Sequence, residues 1–289
     1  MKPEGNFNLT PKYAIAGVVV FYNPVKEELR NINSYLNYIE HLYIIDNSEF
    51  PLQNISSFLT PKMEYIFNNS NLGIAAALNM AVEKAIDSGF SFLLTMDQDS
   101  YFNKESIKIL INNIKDYDSV GIFAPFHKNK FFTNPPKTSG FEEVSDVMTS
   151  GNILNLTAVK KIGKFNEEYF IDYVDIEYCL RLRRNGFKVL RINDSILVHN
   201  EANLSKKGFL GFNVYPANHT PLRWYYKIRN YLYLKKEYKS AFKKYFDIEK
   251  INIRNNIIKV LLFEKNKMKK INMILKGYIH YKKNIKGRI

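Results

Sequence analysis

The chain has 289 residues, 46% of them hydrophobic and 24% charged, with a formal net charge of +14. Such fractions describe a globular protein with a sizeable core, the single Cys179 excludes an intramolecular disulfide and fits a reducing compartment, and the longest apolar run, residues 13–22, is far too short to span a bilayer. Residues 223–289 hold 20 Lys and Arg against 4 Asp and Glu, or +16, and the remainder, 22 against 24, is −2.

The charge excess therefore sits wholly in the tail and suggests an anionic partner, nucleic acid or a membrane surface. The first ten residues lack the basic start and apolar run of a secretory signal, so a cytoplasmic location is expected. Tyr and Phe are abundant, which suits a protein that works on a sugar or at an interface, and a large aromatic core would use them equally well.

In chain order, residues 14–21 are β-branched and apolar, a buried first strand closed by Tyr22-Asn23-Pro24. Residues 27–40 carry Leu29, Ile32, Leu36 and Ile39 on one helical face. Residues 42–45 form a second strand ended by Asp46-Asn47-Ser48, and 63–67 a third. Asn71-Leu72-Gly73 precedes an alanine-rich helix over 74–88. The run from Phe92 to Met96 reads as a buried strand whose carboxyl end carries Asp97-Gln98-Asp99. Alternation along a strand lets Asp97 and Asp99 share one side while Gln98 points away. Two carboxylates held together repel unless a cation lies between them, and a hard divalent ion suits such oxygen ligands. An ordinary polar loop would use the same residues.

Residues 105–114 read as a helix, 120–124 as a strand and 128–140 as a polar loop. Residues 144–156 look like strand material broken at Ser150-Gly151-Asn152, where the glycine suggests close approach of a ligand or neighbour. A helix is expected over 172–185, short strands over 187–192 and 196–198, and helix from Thr220 onward. Strand and helix alternate through the first part, so the fold is α/β with a mostly parallel sheet flanked by helices. Ligands of such sheets bind at the carboxyl ends of the strands, which here carry Tyr22, Asn23, Asp46, Asp97 and Asp99.

Several stretches in order carry a resemblance: Val19-Val20-Phe21-Tyr22-Asn23-Pro24, Ile45-Asp46-Asn47-Ser48, Asn71-Leu72-Gly73-Ile74-Ala75 with Asn79, and Asp97-Gln98-Asp99-Ser100. Together they resemble the motifs of family 2 glycosyltransferases, inverting enzymes of the Rossmann-like GT-A fold. Thr149-Ser150-Gly151-Asn152, the run from Phe170 to Arg181, and the run from Arg223 to Asn230 narrow the resemblance to bacterial rhamnosyltransferases. The match covers roughly residues 14–235.

The resemblance implies a catalytic domain over 1–222 with a basic helical extension over 223–289. It implies Mg²⁺ or Mn²⁺ held by Asp99, Asp97 and His199, and donor binding by Tyr22, Asn23, Asp46, Asn71, Gly73, Asn79 and Asp97. Ser150, Gly151 and Asn152 would meet the acceptor. Aligned on Arg181, Asp175 falls where relatives place the general base, with Asp172 as the second candidate; many relatives have Glu-Asp where this chain has Val174-Asp175. Both acids could equally serve a helix start, as N-cap and first-turn acid. Glu177 and Arg181 would support the helix, and Cys179 the core. The implied donor is dTDP-L-rhamnose, with other nucleotide sugars such as UDP-sugars as the alternative. The implied acceptor is a glycan on a polyprenyl diphosphate at the inner face of the cell membrane.

In the tail, Ile257, Leu261, Met268, Ile271, Leu275 and Tyr278 recur at helical spacing among lysines. That pattern suits an anionic membrane surface or a helix packed on the catalytic domain. Rival readings are a phosphatase with a nucleophilic aspartate, a nucleic-acid binder, and a non-catalytic scaffold. The aspartate pair follows three strands instead of one, no nucleic-acid motif appears, and Asp97, Asp99 and Asp175 are all present; no nucleic-acid partner is expected.

Overall fold

The computed structural model describes residues 13–114, 118–129, 131, 136, 138–199, 205–209 and 212–289. The first ten residues, and part of the loop expected over 128–140, lie outside them.

The elements follow in order as β1 (Ile15–Phe21), α1 (Lys26–Leu29), β2 (His41–Asp46), β3 (Met63–Phe67), α2 (Ile74–Asp87), β4 (Phe92–Asp97) and β5 (Ser100–Phe102). Then come α3 (Lys104–Asn112), β6 (Val120–Lys128), β7 (Phe141–Glu143), β8 (Asn152–Asn155), α4 (Leu156–Ile162), α5 (Val174–Arg184) and β9 (Lys188–His199). A hairpin of β10 (Lys207–Phe209) and β11 (Phe212–Val214) leads to three helices, α6 (Pro221–Tyr238), α7 (Lys243–Phe263) and α8 (Lys267–Lys282).

The main sheet runs β3-β2-β1-β4-β8-β6-β9-β5, with β7 on β9. β3, β2, β1 and β4 are mutually parallel, β8 is antiparallel to both β4 and β6, and β6 and β9 are parallel. Phe21 is level with Asp46, and Val20 with Asp97, so the polar ends of β1, β2 and β4 share one edge. Apolar side chains cover both faces: α2, α4, α5 and α6 close one, while α3 and the segment after α1 close the other. This two-sided burial explains why β1 and β4 read as unbroken apolar runs.

Four expectations change. The helix over 27–40 is one turn of α-helix followed by 3-10 turns at Arg30–Ser34 and Leu36–Tyr38. Ser34 Oγ donates to the Asn31 carbonyl at 2.6 Å and Tyr35 breaks the turn at φ −133°; such short polar side chains compete for helix hydrogen bonds. The apolar face survives, because Ile32, Tyr35 and Ile39 are buried. Only Asn152–Asn155 of 144–156 forms a strand, and Leu156 begins a helix capped by Asn155, which accepts from Thr157 N–H. The two strands at 187–198 are one, β9, with an irregularity in its pairing to β6. The helix at 172 starts at Val174, with Asp172 and Tyr173 both at positive φ, so Asp172 is not its cap.

The tail is helical as expected, and Thr220 caps α6 by accepting from Arg223 N–H. α6 is part of the core, with Tyr231, Leu234 and Tyr238 buried beside α5 and β6 residues. The apolar tail stripe is only partly packed: Leu261, Met268, Leu275 and Tyr278 are exposed. Lys270, one of the lysines among that stripe, is buried and paired with Glu264 at 2.6 Å.

Candidate active site

The sheet edge gathers most of the residues picked from sequence. Tyr22 N–H donates to Gln98 Oε1, Asn23 N–H to Ser48 Oγ, and Asn47 N–H to the Phe21 carbonyl, so three strand ends are tied together. Gln98 turns toward Glu28 and Tyr22, which leaves Asp97 and Asp99 on the other side.

Ligand-type atoms of Asp97, Asp99 and His199 lie within 4.8 Å of one another, although 100 residues separate His199 from Asp99 in sequence. The antiparallel pairing of Ser100 with His199 brings the imidazole there. His199 Nδ1 is 2.6 Å from Ser100 Oγ and 3.5 Å from Asp99 Oδ1. Burial raises the Asp97 carboxyl; His199 opposes that rise and the Asp99 charge adds to it. Two carboxylates and an imidazole, with one carboxylate strained toward protonation by burial, fit a hard divalent cation of the Mg²⁺ or Mn²⁺ type.

Ser150, Gly151 and Asn152, expected at the acceptor, are buried beneath this cluster. Asp97 N–H donates to Ser150 Oγ at 3.0 Å, His127 Nε2 donates to the Ser150 carbonyl, and Gly151 N–H donates to the Thr95 carbonyl at 2.7 Å. Gly151 sits at φ +79°, and a Cβ there would meet Pro125 at 2.7 Å and Leu197 at 2.9 Å. The glycine signalled close packing of the protein on itself. These residues set the end of β4 and present no surface to a ligand.

Asp46 has no exposed surface: Oδ1 accepts from Ser48 N–H and Oδ2 from the Tyr65 hydroxyl at 2.6 Å. Asn71 Oδ1 accepts from Gly73 N–H in the turn that starts α2. Gly73, at φ +89°, could hold no Cβ, which would fall 2.6 Å from the Phe170 carbonyl. Asn79 is not brought to the crevice. Its amide is spent on both backbone groups of Phe165 and on Glu167, joining α2 to the segment before α5.

The two candidate bases are held differently. The Asp172 side chain is buried and held by more exposed cations: Arg223 grips it with Nη2 at 2.6 Å and Nε at 3.2 Å, and Lys227 Nζ stands at 3.4 Å. Burial alone would raise its carboxyl, but Lys227 and Arg223 together outweigh burial and hold it below the usual range. A carboxylate so stabilised is a poor proton acceptor, which removes Asp172 as second base candidate. Asp175 is half-buried in the first turn of α5, with only the Ile176 N–H bonded to it among described partners. Burial pushes it up to about 6, the Ile176 bond opposes, and the charges of Asp146, Asp172 and Asp97 add.

Arg223 feels the charges of Asp172, Asp175 and Asp97, so the candidate base and the cluster's Asp97 both lie within electrostatic reach of this cation. Asn230, one turn below Lys227 on α6, donates to the carbonyls of Tyr169, Ile171 and Asp172 at 2.8–2.9 Å. It clamps a segment in which Phe170, Asp172 and Tyr173 all have positive φ, a conformation that costs on the order of 1 kcal/mol per residue. Sequence reading picked out the 223–230 run but gave its residues no role; an Arg and an Asn on a buried helix face were the available signal. Glu177 and Arg181 do brace α5, forming an ion pair while Arg181 also reaches the carbonyls of Ile162 and Lys164. Cys179 is buried in the core.

Residues 18–188 match the family described as glycosyl transferase family 2. A dTDP-rhamnosyl transferase, RfbF, of Shigella flexneri is 30% identical over 246 residues, covering 78% of this chain and 81% of that protein. A low-salt glycan biosynthesis hexosyltransferase, Agl10, of Haloferax volcanii is 23% identical over 206 residues, covering 64% of this chain and 66% of that one. Among solved structures, S. aureus TarS 1–349 in complex with UDP-GlcNAc superposes with a TM-score of 0.60 at 16% identity, over 93% of this chain and 81% of that one. GalNAc-T7 with UDP, GalNAc and Mn²⁺ gives 0.61 at 13% identity, over 81% of this chain and 49% of that one. These likenesses establish the GT-A architecture for the sheet described above. With the family match spanning most of that sheet, the chain belongs to glycosyl transferase family 2.

Proposed function

We propose that this glycosyltransferase moves L-rhamnose from dTDP-L-rhamnose, with inversion, to a hydroxyl of a lipid-linked glycan. The donor assignment is supported by the Shigella relative, whose printed activity is dTDP-rhamnosyl transfer. The chemistry rests on one observation above all. Asp97, Asp99 and His199 converge within 4.8 Å at the strand ends, and the charge of Asp97 reaches Asp175.

Asp175 is the general base. A carboxyl near 6 is ionised at neutral pH and accepts a proton far better than an ordinary aspartate, so it takes the proton of the acceptor hydroxyl as that oxygen attacks the sugar. Asp97, Asp99 and His199 would hold Mg²⁺ or Mn²⁺, which when bound supplies Lewis-acid neutralisation of the departing diphosphate. Asp172 positions Arg223 and Lys227 beside the site. Tyr22, Asn23, Asn71 and Gly73 line the strand and helix ends that receive the nucleotide, and Asp46, bonded to Ser48 and Tyr65, shapes the end of β2 beneath them.

The acceptor is carried on a polyprenyl diphosphate and is met at the inner face of the cell membrane. Among the described residues no helix is long and apolar enough to cross a membrane. Instead Ile258, Leu261, Leu262, Met268, Leu275 and Ile279 of α7 and α8 are exposed in the segment carrying +16. Apolar side chains among lysines suit a peripheral site on an anionic leaflet.

A thermal-shift panel of nucleotide sugars with Mn²⁺ tests the donor. Stabilisation by dTDP-L-rhamnose is expected, and stabilisation by UDP-sugars alone would overturn it. With glycolipid extracted from source cells as acceptor, Asp175→Asn is expected to lower turnover by about 10²–10⁴ while donor binding persists. A fully active variant refutes the assignment of the base.

A further inference from the structure

A second recess opens beside the Asp172 ion pair. It has a volume of about 60 Å³ and lies where the start of α5, the loop before α6, α6 and α7 meet. Tyr173, His219, Trp224, Lys227, Ile253 and Glu249 are among its walls. Lys227 reaches from it to Asp172 Oδ1, and Tyr173 stands two residues before Asp175. The recess therefore lies beside the segment that leads into α5 and carries Asp172 and Asp175.

Its chemistry is amphipathic. Trp224 and Ile228 are buried apolar wall, with Ile253 packed on them. The indole Nε1–H of Trp224 is buried and has no hydrogen-bond partner among the described residues. Buried indole N–H groups usually find an acceptor, and leaving a donor unmet costs about 1–3 kcal/mol. His219 packs edge-on against Trp224, and burial with Lys227 and Arg223 nearby lowers it to about 3, so the imidazole is neutral and can both donate and accept.

Formal charges on the walls balance. Glu249 accepts from the Tyr173 hydroxyl, and Glu264 pairs with Lys270 and accepts from Asn218 N–H. Lys227 and Lys259 offset these two acids. An anion-binding pocket would hold a cationic excess. Apolar wall and a neutral imidazole suit the hydroxyls of an uncharged sugar. The volume admits a few polar atoms, more than one water but less than a whole pyranose ring.

We propose that this recess is a carbohydrate subsite that takes hydroxyl groups of the acceptor's neighbouring sugar unit, with His219 as its hydrogen-bonding group and Trp224 as its apolar wall. It rests on the glycosyltransferase reading and fixes which part of the molecule reads the acceptor beyond the reacting hydroxyl.

Trp224 is the chain's single tryptophan, so its fluorescence reports on the recess directly. The full chain is titrated, without nucleotide, with neutral methyl glycosides of rhamnose, glucose, galactose and N-acetylglucosamine, and separately with inorganic pyrophosphate. A saturable emission change with at least one glycoside is expected, weakened about tenfold or more, or 1.4 kcal/mol, in Ala217→Leu, which enlarges a residue of the recess wall and narrows it. A melting curve checks that this variant is folded, and the wild-type titration stands without it. No saturable change with any glycoside, an equal response in the folded variant, or a response to pyrophosphate alone overturns the proposal. Because the titration uses neither donor nor turnover, a failed rhamnosyl-transfer assay leaves its outcome readable.

Discussion

Asp175 and Asp172 stand three residues apart and carry the same functional group, yet their surroundings push them in opposite directions. Spacing in sequence could not separate them, because the cations that bind Asp172 come from a helix 51 residues further on. The raised Asp175 carboxyl has two consequences. As the base it must be ionised, so kcat/KM should fall about tenfold per pH unit below about 6; a profile flat down to pH 5 would contradict the assignment. For stability the sign is the reverse. The folded chain holds the Asp175 proton to about 6 whereas the unfolded chain releases it near the ordinary 3.8, so stability is full below the lower value and falls as pH rises through the upper one. At pH 7 the ionised group costs up to about 3 kcal/mol. Asp175→Asn should therefore melt higher than the wild type at pH 7, with the difference shrinking by pH 4. An equal or lower melting temperature at pH 7 would show that burial does not destabilise this carboxylate.

At the scale of elements, the strands were the most readable part. Runs such as 14–21 and 92–96 are buried on both faces, and their polar ends mark the crevice. Elements shaped by partners distant in sequence were not readable. Residues 144–156 carry strand-forming side chains, but only the last four before Leu156 find a ladder, and the Ser150 turn is held by Thr95, Asp97 and His127. Helix α6 is the clearest case. Its pattern announces a helix, while its role as clamp on 169–172 appears only once Asn230 meets three carbonyls. Asn230→Ala leaves these carbonyls without their donor and lets Asp175 shift. A displacement of about 1 Å can cost on the order of 10² in rate. A loss of that size is expected in kcat, with the thermal shift caused by the donor nucleotide unchanged. An unchanged kcat in the folded variant would mean that the segment holds its shape without the clamp.

At the scale of the molecule, the uneven charge was visible from composition alone, but the direction in which the tail faces was not. The same apolar spacing serves a packed helix and an exposed one, and the structure divides it, with Val260 buried and Leu261 and Leu262 exposed. If the exposed face docks on an anionic leaflet, Lys265→Glu with Lys269→Glu and Lys276→Glu should weaken co-sedimentation with anionic vesicles. Each removed charge is worth about 1 kcal/mol near such a surface, and the loss should shrink at high salt. Equal binding by the wild type and the triple variant would refute the membrane role.

Gly277 of α8 carries a consequence for how the protein comes apart. A Cβ at that position would lie 2.6 Å from the Tyr225 carbonyl of α6, so the two helix backbones touch. α6 is itself sunk into the sheet's core, so α7 and α8 are expected to unfold together with the catalytic body. Cutting the chain after Tyr238 would strip cover from Trp224 and Ile228 as well as remove lysines, so charge reversal is the cleaner probe of lipid binding. Calorimetry should record a single endotherm, and Gly277→Val should lower all of it together; separate early melting of a tail-sized fraction would show the two parts to be energetically independent.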